Sequence, residues 1–168
     1  MDPRSIILPL MPSISVVGPK EISTAEPHSP GRAAFERFKQ LGGNWQSKST
    51  RGWESTDVVR TIAGESAVEL GGTGARPGET MPPLIYMDGD RLLPTHYCVA
   101  KNQPRLQATR FEDGGRMVTF TFLDATNLPS RDTGHIDSLV FHFNDDGSAT
   151  RRRTWYQERK ESRTGTVE

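Results

Sequence analysis

Several segments of the chain alternate strictly between apolar and polar residues, and this period of two most constrains the fold. Val118, Phe120 and Phe122 share one face of the run RMVTFTFLD, and the same alternation recurs in IDSLVFHFN. Successive side chains of an extended strand point to opposite faces, so such runs are typical of half-buried β-strands. The turn signals MDGDR, EDGGR and NDDGS lie between runs, and Asp-Gly pairs favour tight hairpins. The pattern therefore predicts consecutive β-hairpins.

The spacing of these runs predicts eight or nine strands and leaves no room for crossover helices. The predicted strands span roughly 44–51, 55–63, 66–72, 79–87, 91–99, 105–112, 116–124, 136–144 and 148–158. Hairpin following hairpin produces an antiparallel meander, and closing such a sheet removes its exposed edges. The predicted fold class is therefore all-β, an antiparallel meander β-barrel of about 8–10 strands, which is wide enough for one small ligand.

One short helix is predicted ahead of the first strand, in SPGRAAFERFKQLGG. Ser29 is a candidate N-cap, Pro30 suits the first turn, and Phe35 and Phe38 have helical spacing. The Gly-Gly pair that follows predicts the end of this helix.

The ends of the chain are predicted to lie outside the barrel domain. Residues 1–28 contain five prolines and are predicted to be a disordered leader, with a degenerate signal segment as the alternative. The predicted barrel domain is 29–161, and 162–168 is predicted to be a flexible tail. The prolines and Asp2 argue against a signal peptide, which favours a cytoplasmic over an exported protein.

Charge and cysteine content restrict the class of partner. The chain has 21 basic and 21 acidic residues, so no basic surface for nucleic acid is expected. No apolar run reaches the roughly 18 residues of a membrane-spanning helix. Cys98 is the only cysteine, which excludes an internal disulfide.

Several sequence stretches carry a family resemblance. LGGNW, with Gly43 and Trp45, looks like the Gly-x-Trp signature of lipocalin-type (calycin) barrels. THYCVAKNQPRLQA, FTFLDATNL, GHIDSLVF and TWYQERKE together resemble uncharacterised bacterial proteins with a lipocalin-like barrel, over roughly residues 31–161. The resemblance implies that Trp45 packs across the closed end under Arg151 or Arg153. It brings no established activity, so it implies no catalytic residues.

His96 and Cys98 are the first candidate site. They lie two apart on a predicted strand, so their side chains are expected to leave the same face. With His135 they could bind a soft metal, and Cys98 with His96 could form a nucleophilic pair, with Asp124 orienting a histidine. Ordinary strand residues explain the same pattern, and the spacing matches no closed metal site. No catalytic residue, metal ligand or cofactor is therefore assigned, and the question of enzyme activity stays open.

Two polar loops are the second candidate site. KNQPR contains Asn102, Gln103 and Arg105, and DATNLPSRDTGH contains Asp124 and Asn127. These side chains either line the mouth of the barrel, where they would contact a ligand, or stabilise their own loops.

The arginine run RRR in the last predicted strand allows two orientations. If Arg151 and Arg153 face inward with Trp155, one of them could pair with a ligand carboxylate. If Arg152 faces inward, it shares its face with Thr154 and Tyr156. The favoured interpretation is an exposed charge ladder on an edge strand, with one arginine closing the base of the barrel.

The leading functional prediction is non-enzymatic binding of a small, mostly apolar ligand, with or without a carboxylate, inside the barrel. The alternatives are a small enzyme using the region of His96, Cys98 and His135, and a haem or metal binder through His96 or His135. The predicted ligand-binding residues are His96, Cys98, Asn102, Gln103, Arg105, Asp124, Asn127, His135 and Arg153.

Overall fold

The protein forms one ten-stranded antiparallel sheet preceded by one α-helix, in a computed structural model that describes residues 29–72, 79–158 and 160–167. The strands pair in chain order, as a meander requires. The elements are α1 Pro30–Gln40, β1 Gly43–Lys48, β2 Glu54–Ile62, β3 Ala67–Leu70, β4 Pro83–Asp88, β5 Arg91–His96, β6 Gln103–Glu112, β7 Met117–Thr126, β8 His135–Phe143, β9 Ala149–Gln157 and β10 Lys160–Val167. The predicted fold class is confirmed. The predicted leader lies outside the described residues.

Helix α1 closes one end of the curled sheet. The Ser29 hydroxyl caps it by accepting a hydrogen bond from the Arg32 amide at 3.2 Å. Phe38 packs against Phe141 and Phe143, with ring centroids 4.6 Å and 4.9 Å away. Burying these rings removes apolar surface from water, which is the main force holding the helix on the sheet. Within the described residues, no helix is long and apolar enough to cross a membrane.

The hairpin turns divide between the two ends of the sheet. The Arg37 guanidinium donates to the carbonyl of Gly114 at 3.3 Å, and Lys39 lies 3.9 Å from the Glu65 carboxylate. The β6–β7 and β2–β3 turns are therefore beside the helix. Because successive connections of a meander alternate ends, residues 49–53, 97–102 and 127–134 lie at the opposite end, called here the far end.

The sheet curls into a half-barrel, with its apolar residues on the concave face. The first and last strands, β1 and β10, are its edges. They meet where the Thr50 amide donates to the Thr166 carbonyl at 3.1 Å and the Thr166 amide donates to the Thr50 hydroxyl at 3.2 Å. This contact joins the edges at one point, between the turn after β1 and the last strand.

The sequence missed one strand. All nine predicted strands are present, but β10 occupies most of residues 162–168, where a flexible tail is predicted. Strand β10 pairs with β9 over Lys160–Val167. Its sequence KESRTGTV lacks an apolar alternation, and backbone hydrogen bonding to a neighbouring strand does not require one.

The close approach of Gly71 to strand β2 generates the first prediction. Its amide donates to the Val58 carbonyl at 2.7 Å, and a Cβ placed there would overlap the backbone oxygen and nitrogen of Val58. We expect Gly71→Ala to lower the free energy of unfolding by about 1–3 kcal/mol in urea titrations, because the backbone must shift. Gly42→Ala is the control, since its Cβ would lie 3.4 Å from the Lys39 carbonyl. Equal effects of the two changes would contradict this account.

Candidate functional site

Two arginines of strand β9 face the concave side of the sheet. Arg151 and Arg153 stand opposite Phe141 and Leu139 of β8, both of which are buried in the core. Cross-strand partners share a face, so both arginines point inward, while Arg152 is exposed. The favoured prediction of an exposed edge ladder is therefore wrong: β10 covers the edge of β9, and the alternation places two of the three arginines inside.

A buried ion pair holds Arg151. Its guanidinium lies 2.9 Å from Asp57 Oδ2 of strand β2, and the two side chains are only 11% and 5% exposed. The hydroxyls of Ser47 and Ser55 donate to the same carboxylate at 2.9 Å and 3.2 Å. A buried carboxylate needs such donors because it has left water. Sequence reasoning missed Asp57. An aspartate two residues before Val59 in a strand shares the face of that apolar residue, and this spacing could have indicated a buried carboxylate.

Trp45 lies beside this pair but has no arginine stacked on it. Its indole nitrogen donates to the Leu41 carbonyl at 2.7 Å, and its ring packs against the core. In the part of the chain that the structure describes, the cation–π contacts are made by Lys39 and Arg131 instead. The expected stacking of Arg151 on Trp45 is therefore not found, because Asp57 holds the Arg151 guanidinium.

His96 and Cys98 do not share a strand face. Strand β5 ends at His96, and Cys98 lies in the following turn, where its carbonyl accepts from the Lys101 amide at 2.9 Å. The Cys98 sulfur contacts Met81 Sδ at 3.8 Å. The predicted geometry was wrong because it extended the strand through a turn, in which side chains no longer alternate.

His96 itself is buried on the concave face. It lies on the same face of β5 as the core residue Leu92, and it is 4% exposed. Its Nε2 atom is fully buried and has no hydrogen-bond partner among the described residues. Buried polar atoms of native proteins are nearly always hydrogen-bonded, so this nitrogen marks a place where a polar partner is expected.

Burial determines the charge states around His96. Burial, together with the charges of Arg153 and Arg151, lowers the pKa of His96 to about 3. Burial also raises the pKa of the Cys98 thiol and lowers the pKa of Arg153 to about 10. At neutral pH the site therefore contains a neutral imidazole, a neutral thiol and a charged Arg153. A neutral thiol is a poor nucleophile, which disfavours the Cys98–His96 pair.

His135 belongs to a different cluster. It is completely buried, and its Nδ1 lies 2.6 Å from the Thr133 carbonyl. Its other ring nitrogen contacts Arg131, whose guanidinium lies 4.0 Å from the Phe122 ring and 4.7 Å from the Tyr156 ring. Over the described ranges, no three His, Cys, Asp or Glu side chains come together as a metal site would need. His135 therefore does not join His96 and Cys98 as a third ligand.

The two predicted polar loops meet at the far end and bond to each other. Asn102 Nδ2 donates to the Gly134 carbonyl at 2.8 Å, and Asn127 Nδ2 donates to Gln103 Oε1 at 3.0 Å. Arg105 Nε donates to Asp124 Oδ1 at 2.6 Å in an exposed ion pair. These contacts occupy most of the donors that the sequence assigned to a ligand, so the side chains stabilise the loops in the present arrangement.

A cavity lies at the seam, the gap between β1 and the start of β9. Its volume is about 100 Å³. Asp57 and Arg151 form a charged part of its wall. The rest of the lining is largely apolar and includes Leu41, Trp45, Val59, Leu70, Phe141 and Ala149.

Comparisons with known proteins add no assignment. No protein-family model matches the chain, and no curated protein matches it. The structure supports a curled antiparallel sheet compatible with a barrel, and the lipocalin-like assignment stays a prediction.

The buried ion pair generates the second prediction. We expect Asp57→Ala to cost about 3–5 kcal/mol of unfolding free energy, because it leaves a buried arginine without its carboxylate. Asp124→Ala is the matched control, since it breaks an exposed Arg–Asp pair and is expected to cost about 0–1 kcal/mol. Urea denaturation of both variants measures the difference. If both variants lose a similarly small amount of unfolding free energy, the Asp57–Arg151 pair does not hold the sheet together.

The buried imidazole generates the third prediction. The pKa of His96 is about 3 in the folded chain against an ordinary 6.5, so the unfolded chain takes up the proton first. Stability should therefore be lost as the pH falls below 6.5, by up to about 1.4 kcal/mol per pH unit from this residue. Urea titrations at pH 6.5, 5.5 and 4.5 should show a shallower loss in His96→Gln than in wild type.

The control for the third prediction is His142→Gln. The side chain of His142 is 40% exposed, so this variant also removes one imidazole but leaves the buried surroundings of His96 unchanged. If His96→Gln also follows the wild-type curve, His96 is not buried as a neutral imidazole.

Proposed function

We propose that the protein binds a small, mostly apolar molecule without covalent chemistry, on the concave face of a lipocalin-like half-barrel. The cavity at the seam is the observation that carries this proposal. Its mostly apolar wall would bury an apolar group, and the adjacent charged pair supplies a few fixed polar atoms. Apolar walls with a small number of placed polar groups are the usual composition of small-molecule sites.

The volume of the cavity limits what it holds. About 100 Å³ is smaller than the roughly 150 Å³ apolar cavity that accommodates benzene in another protein. The enclosed part of the ligand is therefore one small ring or a short alkyl segment. A longer molecule would continue along the open seam between β1 and β9.

The position of the cavity couples binding to stability. Its wall includes Trp45 and Val59 from the start of the sheet, and Phe141 and Ala149 from strands eight and nine. A ligand in contact with both groups would bridge the two sides of the half-barrel. Because such a ligand binds only the folded chain, saturating it should raise the midpoint of thermal unfolding.

The enzyme and metal alternatives have less support. Cys98 lies in the turn after the strand that ends at His96, and burial raises the pKa of its thiol. His135 is engaged by Arg131 and the Thr133 carbonyl. These contacts favour structural roles for the side chains on which nucleophilic or metal chemistry would depend.

The fourth prediction concerns a substitution that fills the cavity and its effect on ligand binding. The neutral fluorophore N-phenyl-1-naphthylamine, with its phenyl ring in the cavity and its naphthyl group along the seam, should bind wild-type protein saturably and with enhanced emission. Ala149→Leu adds bulk to the cavity wall and should weaken this binding by about tenfold, or 1.4 kcal/mol. The matched control is Ala67→Leu, which adds the same volume on β3 outside the cavity lining and should bind like wild type.

Stability must be measured in parallel with the fourth prediction, because added bulk in a packed region costs about 1–3 kcal/mol. The binding comparison uses temperatures at which both variants are folded. If the fluorophore does not bind wild type, or if Ala149→Leu binds it as well as Ala67→Leu does, the cavity is not the binding site.

A further inference from the structure

Arg153 is a charged side chain on the concave face without an acceptor. It is partly buried, and among the described residues no carboxylate or carbonyl forms a hydrogen bond or ion pair with it. A guanidinium has five N–H donors in a fixed planar fork. The nitrogens of Arg153 are not fully buried, so a ligand can reach them, but partial burial weakens their hydration, and an anion would compensate for that loss. The unpaired fork therefore needs an explanation.

The carboxylate whose charge acts on Arg153, that of Asp57, is already engaged. Asp57 Oδ2 accepts from Arg151 and Ser47, and Asp57 Oδ1 accepts from Ser55. The Asp57 charge reaches Arg153 only as a longer-range attraction, while the charge of Arg151 repels it. Two guanidinium groups therefore lie on this face close to one carboxylate, which leaves one positive charge unbalanced.

The side chains around Arg153 do not balance that charge. Arg153 lies near enough to His96 and Cys98 for its charge to lower the pKa of both groups. At neutral pH both are uncharged. The Glu79 carboxylate acts on Cys98 and raises the pKa of its thiol, whereas the carboxylate that acts on Arg153 is Asp57. His96 contributes a buried nitrogen that has no partner among the residues described. The concave face thus combines an unpaired cation with an unpaired polar atom.

We propose, given that the chain binds a small molecule as inferred above, that this molecule is a carboxylic acid whose carboxylate pairs with Arg153 beside His96. The carboxylate matches the guanidinium fork in shape and can accept two parallel hydrogen bonds. One negative charge also balances the excess positive charge of the Arg151, Arg153 and Asp57 group.

The rest of the molecule is apolar. Trp155 and Arg151 flank Arg153 on the concave face of β9, and Trp155 packs against the core. From Arg151 the surface continues to the cavity at the seam, with Phe141 and Ala149 in its wall. A ligand with its carboxylate at Arg153 therefore has an apolar surface available in the direction of the seam. This arrangement favours monocarboxylic acids with a short alkyl or single-ring body.

The fifth prediction compares octanoate with octanamide, which has nearly the same shape but no charge. Calorimetric titration of wild-type protein at pH 7 should show octanoate binding at least about tenfold more tightly. Arg153→Gln should remove this preference, because it should weaken octanoate binding far more than octanamide binding. Arg153→Lys keeps the charge but loses the fork, so it should retain only part of the preference.

Arg152→Gln is the matched control. It removes the same charge from the neighbouring residue, which is exposed on the opposite face, and should retain the full preference for octanoate. The urea midpoint of Arg153→Gln should equal or exceed that of wild type, since the change removes a charge that lacks a partner and is repelled by Arg151.

The outcomes separate this inference from the proposed function. If octanoate and octanamide bind equally, or if Arg152→Gln and Arg153→Gln lose the same affinity, binding stands and the carboxylate site at Arg153 is wrong. A large fall in the urea midpoint of Arg153→Gln would show that Arg153 is a structural group and would also overturn the site. If neither compound nor the neutral fluorophore binds, the proposed function fails, and the inference fails with it.

Discussion

The ion pair between Asp57 and Arg151 connects the second strand to the ninth across the concave face. The backbone hydrogen bonds of the sheet join strands that are adjacent in the sequence, so each hairpin constrains only its neighbours. The two edges meet at Thr50 and Thr166, through a few hydrogen bonds at one point. A buried charge pair is directional and costly to break, so it holds β2 and β9 together across the concave face. The cavity at the seam owes its charged wall to this pair.

The Asp57–Arg151 pair also explains why the neighbouring charge of Arg153 is not neutralised by Asp57. A single arginine facing Asp57 would form a neutral ion pair and leave no charge on the concave face without a partner. The alternation of β9 brings a second arginine, Arg153, to the same face, and Asp57 with its two serine donors has little capacity left for it. The charge balance of the concave face thus separates an arginine paired within the protein from one that is not, although the two lie only two positions apart.

The far end illustrates how polar residues in loops can be misjudged. Asn102, Gln103 and Asn127 have the donors and acceptors that a ligand site uses, but their amide groups bond to one another or to backbone, although the buried Asn102 Oδ1 has no partner among the described residues. The physical reason is that loops at one end of a meander lie close together, so their side chains find partners in the neighbouring loop. The concave face differs, because each strand there contributes side chains at a fixed spacing and an unmatched charge cannot move away.

The sequence by itself determined the helix, nine of the ten strands and the order in which they pair. Period-two alternation and Asp-Gly turns are local signals, and a meander needs no others. It did not predict β10, whose pairing depends on backbone hydrogen bonds to β9 rather than on an apolar pattern. It also placed Cys98 on a strand that ends at His96, and it missed Asp57 as the partner of Arg151. Only the tertiary structure decided these points, because the curl of the sheet brings residues 94 positions apart into contact, and burial then determines which charges remain unpaired.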